Sequence, residues 1–275
     1  MILIADSGST KTDWCLVENG QIVRQMKTQG INPFHQSEEE VIRILQTELG
    51  VLSVDEVFFY GAGCNELQSV KMVRILRAFF VAARCVEAYS DLLGAARALC
   101  KHHEGIACIL GTGANSCLYN GEKIIQNTPA LGYILGDEGS GAVLGRMFIN
   151  GIFKGTLPSD IRDAYLSSEN LTMQDVVRKV YREPLANRFL ASASLFISSH
   201  IDRKELQQLV KENFRQFIRK NLVPYKRTDL PVDFVGSIAD AYRGLLVETL
   251  KEEGYMPGVV MKAPMEGLVS YHSYL

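Results

Sequence analysis

The sequence is most informative at first for what it lacks. No run of lysine or arginine exceeds two residues, and the formal net charge is -2 at pH 7. Neither gives an electrostatic case for nucleic acid or an anionic membrane surface, so a small-molecule partner is the better default. No apolar segment approaches the ~20 residues that span a bilayer. The opening MILIADSGST lacks a basic leader, and Asp6 interrupts its apolar stretch before a signal sequence could form. The six cysteines, Cys15, Cys64, Cys85, Cys100, Cys108 and Cys117, are scattered singly with no CxxC pair. In surroundings such as IACIL a thiol behaves as a small hydrophobe, so reduced cysteines in the cytoplasm are expected rather than disulfides or zinc. The five histidines show no zinc spacing, and His102–His103 lies in the polar connection KHHEG. There is no G-x-S-x-G elbow and no Cys–His signature, which leaves hydrolase chemistry with little support. Low-complexity and proline-rich linker segments are also missing.

What is present is ordinary globular sequence, 47% hydrophobic and 22% charged over 275 residues, enough for one large or two moderate domains. Residues 2–5 (ILIA), 14–17 (WCLV) and the stretch QIVRQMKT read as three strands in a meander, the first two joined by the polar turn DSGSTKTD. GINPF is a loop. Ser37 and Glu40 form a capping box before a helix with Val41, Leu45 and Leu49 on one face, stopped by Gly50. VFFYGAG is a buried strand running into a glycine turn. A helix follows with Val70, Val73, Leu76 and Phe80 at helical spacing, then the strand CVEAYSD and the helix LLGAARALC. From residue 106 the opening order returns: strand IACIL, turn GTGAN, strand SCLYN, an Asn120–Gly121 hairpin, strand EKIIQ. This internal repeat of architecture predicts two similar α/β domains, residues 1–100 and 101–275. The second half is more helical, with a Thr172/Asp175 cap, a stripe of Leu206, Val210, Phe214, Phe217 and Leu222, and a strand–turn–helix in FVGSIADAY.

Three stretches carry potential chemistry. In DSGSTKT, Gly8 permits a turn whose N–H groups and hydroxyls from Ser7 to Thr10 can cradle an anionic oxygen. The Asp6 carboxylate would repel a bare phosphate there, but suits a Mg²⁺ ion bridging the two. The same residues also favour a simple polar β-turn. A Walker P-loop is excluded, because Thr10 rather than glycine precedes Lys11 and the chain continues as a strand. LGTGANS repeats the device with Gly111, Gly113, Thr112 and Ser116. GDEGSG sets Asp137 and Glu138 beside two glycines where a helix begins, fit either to hydrogen-bond sugar hydroxyls or to favour the helix N-terminus. Asp91 follows a strand and opens a helix, a position that also suits an N-cap shared with Ser90. Asn32 has a turn reading, and Gly236–Ser237 either admits a nucleoside or caps a helix.

Taken in order, IADSGSTKTDW, VEAYSDLLGAARAL, ILGTGANS, GYILGDEGSGA and FVGSIADAY resemble the acetate kinase–hexokinase–actin-like ATPase superfamily. Within it they are similar to the N-acetylglucosamine kinase and BadF/BadG-type ATPase family, over nearly the whole chain. The resemblance implies two ribonuclease-H-like domains with an interdomain cleft, the last dozen or so residues packing back on the N-terminal one. It implies ATP and Mg²⁺ as cofactors. Asp6 would stand on the metal side, with Ser7, Gly8, Ser9, Thr10, Lys11 and Thr12 as the first phosphate motif. Gly111, Thr112 and Gly113 would form the second phosphate motif, Gly61 and Gly63 a glycine turn near the nucleotide, and Gly236 with Ser237 the adenosine motif. Asp91 would be the catalytic base, and Asn32, Asp91, Thr112, Asn115 and Asp137 would contact an amino sugar. A homodimer is left open; nucleic acid and membrane partners are not expected.

The sequence departs from the animal enzymes at one point. They carry a glycine-tryptophan-glycine stretch before GDEGS that contributes to the acetamido pocket, whereas this region reads NTPALGYILGDEGS, with Leu131 where the tryptophan would fall. The expected activity is therefore ATP-dependent phosphorylation of the 6-hydroxyl of an N-acetylhexosamine, N-acetylglucosamine first. N-acetylmuramic acid, whose lactyl ether needs room, is one alternative. An activator ATPase of a 2-hydroxyacyl-CoA dehydratase is another, disfavoured because such activators need exposed cysteines to hold an iron–sulfur cluster. A non-catalytic sugar sensor is a third reading, against which the retention of every acidic candidate argues.

Overall fold

In the computed structural model, which describes residues 1–8 and 10–273, the apolar opening forms β1 (Ile2–Ser7). It pairs antiparallel with β2 (Lys11–Glu18), which pairs antiparallel with β3 (Gln21–Gln29). On its other side β1 runs parallel to β4 (Glu56–Gly61), itself parallel to β5 (Cys85–Ser90). The resulting five-stranded sheet has the order β3-β2-β1-β4-β5. Side-chain alternation divides it into two faces. Leu3, Ala5, Trp14, Val57 and Phe59 pack into one cluster with Val41, Ile44, Leu45, Met72, Ile75 and Leu76 from helices 38–49 and 66–79. Ile4, Cys15, Phe58 and Tyr60 pack on the other side with Ala98, Leu268 and Val269 from helices Asp91–Cys100 and Met265–Ser273.

A second five-stranded sheet follows the same plan: β6 (Glu104–Leu110), β7 (Ala114–Asn120), β8 (Ile124–Thr128), β9 (Pro231–Val235) and β10 (Met256–Met261), in the order β8-β7-β6-β9-β10. β6, β9 and β10 are parallel. Its core joins Ile106, Cys108, Leu110, Val232 and Phe234 to the helices Gly141–Lys154, Ala186–Ser199, Lys204–Phe217 and Arg243–Glu252. Two sheets with one strand order make this an α/β fold of two ribonuclease-H-like units. The first unit comprises Met1–Glu104, Tyr119–Ile125 and Ala263–Leu275; the second comprises Gly105–Leu118 and Gln126–Lys262.

Local signals in the sequence explain most of these elements. The Ser37/Glu40 and Thr172/Asp175 capping boxes both form. The stripe Leu206, Val210, Phe214, Phe217 and Leu222 is fully buried. The helix Glu66–Phe79 departs from expectation in part: Leu76 and Phe80 are buried as expected, but Val70 is 70% exposed, and Met72 and Ile75 join the core. β10 carries no legible signal, because Pro257 and Gly258 break the strand pattern. A register shift between Pro257 and Val260 accommodates them, and Asp233 accepts the Val259 N–H through Oδ1 at 2.6 Å. No disulfide forms among the described residues; five cysteines are buried and Cys85 is half-buried. No helix among the described residues is long and apolar enough to cross a membrane.

Candidate active site

Three parallel strands of the first sheet end in one row. Ser7 pairs across to Gly61, and Gly61 to Ser90. The Gly8–Lys11 turn, the Gly61–Cys64 turn and the start of helix Asp91–Cys100 therefore share one sheet edge. Carboxyl edges of parallel strands are where open α/β sheets present their ligand sites. Asp6 stands one residue behind the row. Its carboxyl is pushed up to about 7, by burial first and then by the negative charges of Asp91 and Asp13, with Lys11 opposing. Burial also raises Asp91, against the pull of the Leu92 N–H that donates to Asp91 Oδ1 at 2.9 Å. Ser90 is the N-cap: its hydroxyl accepts from the Leu93 N–H at 3.2 Å, so Asp91 is the first helical residue. Two carboxylates raised above their ordinary range at one strand edge form a constellation typical of functional sites. The Asp91 charge and burial together raise the neighbouring Cys64 thiol to about 12, burial being the larger cause, so Cys64 is an inert thiol.

The hydroxyls of the first turn do not all face outward. Ser7 and Thr12 are completely buried, and their oxygens lie 2.6 Å apart. Both accept the Ile31 N–H, at 3.0 Å and 3.2 Å, while the Ser7 hydroxyl donates to the Ile31 carbonyl at 2.9 Å. Gly8, Thr10 and Lys11 are the exposed parts of the turn; Ser9 lies outside the described residues. The tie to residue 31 brings Asn32 to the same edge. There the backbone of Gly63 (φ +81°) lies so close that a Cβ would come to 2.3 Å from Asn32 Oδ1, so a side chain at 63 would strain the backbone and displace the Asn32 amide.

The second unit builds a counterpart whose turn itself carries no charged residue. The Gly111 N–H donates to Gly113 O at 3.0 Å, closing the turn between β6 and β7 and leaving Thr112 exposed. The first N–H groups of helix Gly141–Lys154 donate to this turn, Gly141 to Gly111 O at 2.8 Å and Ala142 to Thr112 O at 3.1 Å. Asp137 folds back over it. Its Oδ1 accepts the Ala114 N–H at 3.3 Å, and burial raises its pKa, with a further push from Glu138. Ser140 caps the helix, so Asp137 stands outside the first turn, and Glu138 pairs with Lys220 at 2.7 Å. Asn115 Oδ1 accepts from the Asn127 amide at 3.0 Å. Gly236 lies directly against the end of β6: at φ +133°, a Cβ would come to 2.2 Å from Leu110 O. Ser237 follows it, exposed. Gly111, Thr112, Gly113, Asn115, Asp137, Gly236 and Ser237 thus gather at one edge of the second sheet.

Three supporting residues escaped the sequence reading. Asn213 is fully buried, accepts the Gly139 N–H at 3.0 Å and donates to Ser140 O at 3.2 Å, fixing the GDEGSG turn. A polar residue inside the apolar stripe of helix Lys204–Phe217 was its only signal. Lys220 and Lys71 carried none, because a lysine on a helix reads as solvated. Asp6 fits a hard divalent cation. Burial first, and then the charges of Asp91 and Asp13, hold its carboxyl toward neutrality; a nearby cation would favour the charged form, and Mg²⁺ takes one or two carboxylates while keeping several waters.

No protein-family model and no curated protein matches the chain. Among solved structures, a Porphyromonas gingivalis protein provisionally named an N-acetylglucosamine kinase is 46% identical. The match covers 100% of this chain and 99% of that one, with a TM-score of 0.96. A Chromobacterium violaceum protein with the same provisional name is 16% identical, with a TM-score of 0.73 and 98% coverage of both chains. A ROK family glucokinase from Streptomyces griseus, solved with glucose and AMPPNP, is 14% identical, with a TM-score of 0.60 and coverage of 98% and 97%. The latter two show the fold alone. The full-length similarity to the P. gingivalis protein shows the family, and the chain belongs to the N-acetylglucosamine kinase and BadF/BadG-type ATPases of the acetate kinase–hexokinase–actin-like ATPase superfamily.

Proposed function

We infer that this chain, a sugar kinase and so a phosphotransferase with an alcohol acceptor, moves the γ-phosphoryl of ATP to the 6-hydroxyl of an N-acetylhexosamine, with N-acetylglucosamine as the acceptor. One observation carries the reading: Asp6 and Asp91 stand at a single strand edge with raised pKa values, beside Asn32 and the Gly61–Cys64 turn. The name of the 46%-identical relative supports the choice of sugar.

Phosphoryl transfer depends on positioning and charge stabilisation more than on covalent chemistry. In this reading Asp91 accepts the proton of the acceptor hydroxyl, while the Leu92 N–H keeps one carboxylate oxygen oriented and the other free to act. Asp6 would hold hydrated Mg²⁺, which neutralises charge on the phosphates when bound. The exposed backbone and side chains of Gly8, Thr10 and Lys11 would bind phosphate oxygens, and the Gly111–Gly113 turn offers the same kind of donors. Gly236 and Ser237 receive the nucleoside, while Asn32, Thr112, Asn115 and Asp137 hold the sugar hydroxyls and acetamide. A small-molecule amino sugar is the partner.

N-acetylmuramic acid is a second reading that one observation favours. Leu131, at the position of the animal tryptophan, is 64% exposed, and Ile134 and Leu135 nearby are 69% and 75% exposed. An exposed leucine in place of the tryptophan favours an acceptor with a larger substituent, such as a lactyl group. ADP release from Mg-ATP, measured across glucose, glucosamine, N-acetylglucosamine, N-acetylmuramic acid and N-acetylmannosamine, tests both. The highest kcat/KM is expected for N-acetylglucosamine. A higher value for N-acetylmuramic acid would transfer the assignment, and release that no sugar stimulates would sink the kinase reading.

A further inference from the structure

We propose that Lys71 is a positioning residue for acceptor binding: its ammonium group holds the Asn32 loop in the conformation that presents the Asn32 amide. The inference rests on the reading of Asn32 as a sugar contact. Between β3 and the helix that starts at Glu38, residues 30–37 have no regular structure. The loop nevertheless closes on itself. The N–H groups of His35 and Gln36 donate to Asn32 O at 3.1 Å and 3.0 Å. The Gln36 side chain bridges the loop, accepting the Asn32 N–H at 2.7 Å and donating to Gly30 O at 3.1 Å. The Phe34 N–H donates to Asn32 Oδ1 at 3.0 Å, which fixes the amide orientation and leaves Nδ2 as its donor end, beside Gly63.

These bonds shape the loop but do not anchor its outer carbonyls to the fold. Lys71 does. It sits in the middle of helix Glu66–Phe79, half-buried, and donates from Nζ to Pro33 O at 3.0 Å and to Gln36 O at 2.7 Å. The two carbonyls bracket the segment that bends around Asn32. Both bonds are charge-assisted, roughly twice as strong as neutral ones. A point charge with rotatable donors suits two converging carbonyls better than a planar guanidinium does. From the other side the Gly61–Cys64 turn presses on the Asn32 side chain at Gly63. Lys71 therefore acts on the acceptor through Asn32 and touches no reacting atom.

The test uses the full chain and N-acetylglucosamine, with acceptor binding measured by steady-state KM and by calorimetry. Lys71→Met is expected to raise the acceptor KM and Kd about 10-fold, with the KM for ATP within about twofold of wild type. Lys71→Arg should recover part of the loss. In an Asn32→Ala background, Lys71→Met should add no further acceptor effect, since coupled residues are non-additive. If Asn32→Ala leaves acceptor binding unchanged, the sugar-contact reading fails. If Asn32→Ala weakens it but Lys71→Met does not, or if the two effects add, the Lys71 proposal fails while the reading stands. Amide exchange of the ligand-free protein provides a check independent of any sugar. Asn32, His35 and Gln36 should exchange at least ~10-fold faster in Lys71→Met, by loss of local protection, and unchanged exchange overturns the proposal.

Discussion

The two units share a strand order but place different chemistry at the same topological point. In the first, the strand ends carry two acids, Asp6 and Asp91, and the neighbouring hydroxyls of Ser7 and Thr12 are buried in holding residue 31. In the second, the corresponding turn is Gly111–Gly113, its carbonyls accept helix N–H groups, and its nearby acid, Asp137, arrives from a separate loop. Repeating a fold therefore does not repeat a function. The topology supplies an open strand edge, and the residues on that edge decide its charge and hydrogen-bonding groups.

The contrast can be broken by substitution. The largest effect is expected at the acidic edge: Asp91→Asn should lower kcat by ~10²–10⁴-fold with ATP affinity retained. Near-normal turnover would remove Asp91 as the base. At the edge of the second sheet, Gly236→Ala forces a Cβ to 2.2 Å from a backbone carbonyl at φ +133°. It should destabilise the protein by roughly 2–4 kcal/mol in denaturant unfolding and weaken ATP binding.

A smaller effect runs the opposite way. Asp6 has a folded-state pKa of about 7 against an ordinary 3.8. A raised carboxyl stabilises the fold fully below its unfolded pKa, and that contribution is lost as pH rises through the folded value. Asp6→Asn should therefore melt higher than wild type at pH 8 without added metal, by roughly 2–4 °C. The gap should close as pH falls toward 4. A lower melting temperature at pH 8 would count against the crowded-acid picture.

A last effect, spread over several pH units, lies in the other layer of the first unit. There Tyr60 Oη lies 2.8 Å from His272 Nε2 and accepts from Arg97 at 2.9 Å. Burial, then the Arg97 charge, lowers His272 to about 3 from 6.5. A depressed pKa contributes stability above the unfolded value that is lost as pH falls through the folded one. Unfolding free energy should drop across pH 6.5 to 3, by at most ~1.4 kcal/mol per pH unit from this group. The slope should flatten in His272→Gln; an unchanged acid limb would show that His272 does not set it.

The sequence by itself determined the strand–turn–strand repeat, the helix caps and the apolar stripes, because periodicity and capping are local and each residue reports its own environment. It also marked Asp6, Asp91, Gly111, Gly113 and Gly236, since acids and glycines at strand ends stand out against apolar runs. Tertiary structure alone decided the rest. Whether the Ser7 and Thr12 hydroxyls face a ligand or the chain depended on Ile31, far along the sequence. β10 became a strand because Asp233 takes up the N–H freed at its bulge. Lys71 looked like a solvated helix residue until the fold brought two loop carbonyls to its ammonium. In each case a polar group's partner lies 19 or more positions away, and a hydrogen bond's value depends on which groups burial brings together.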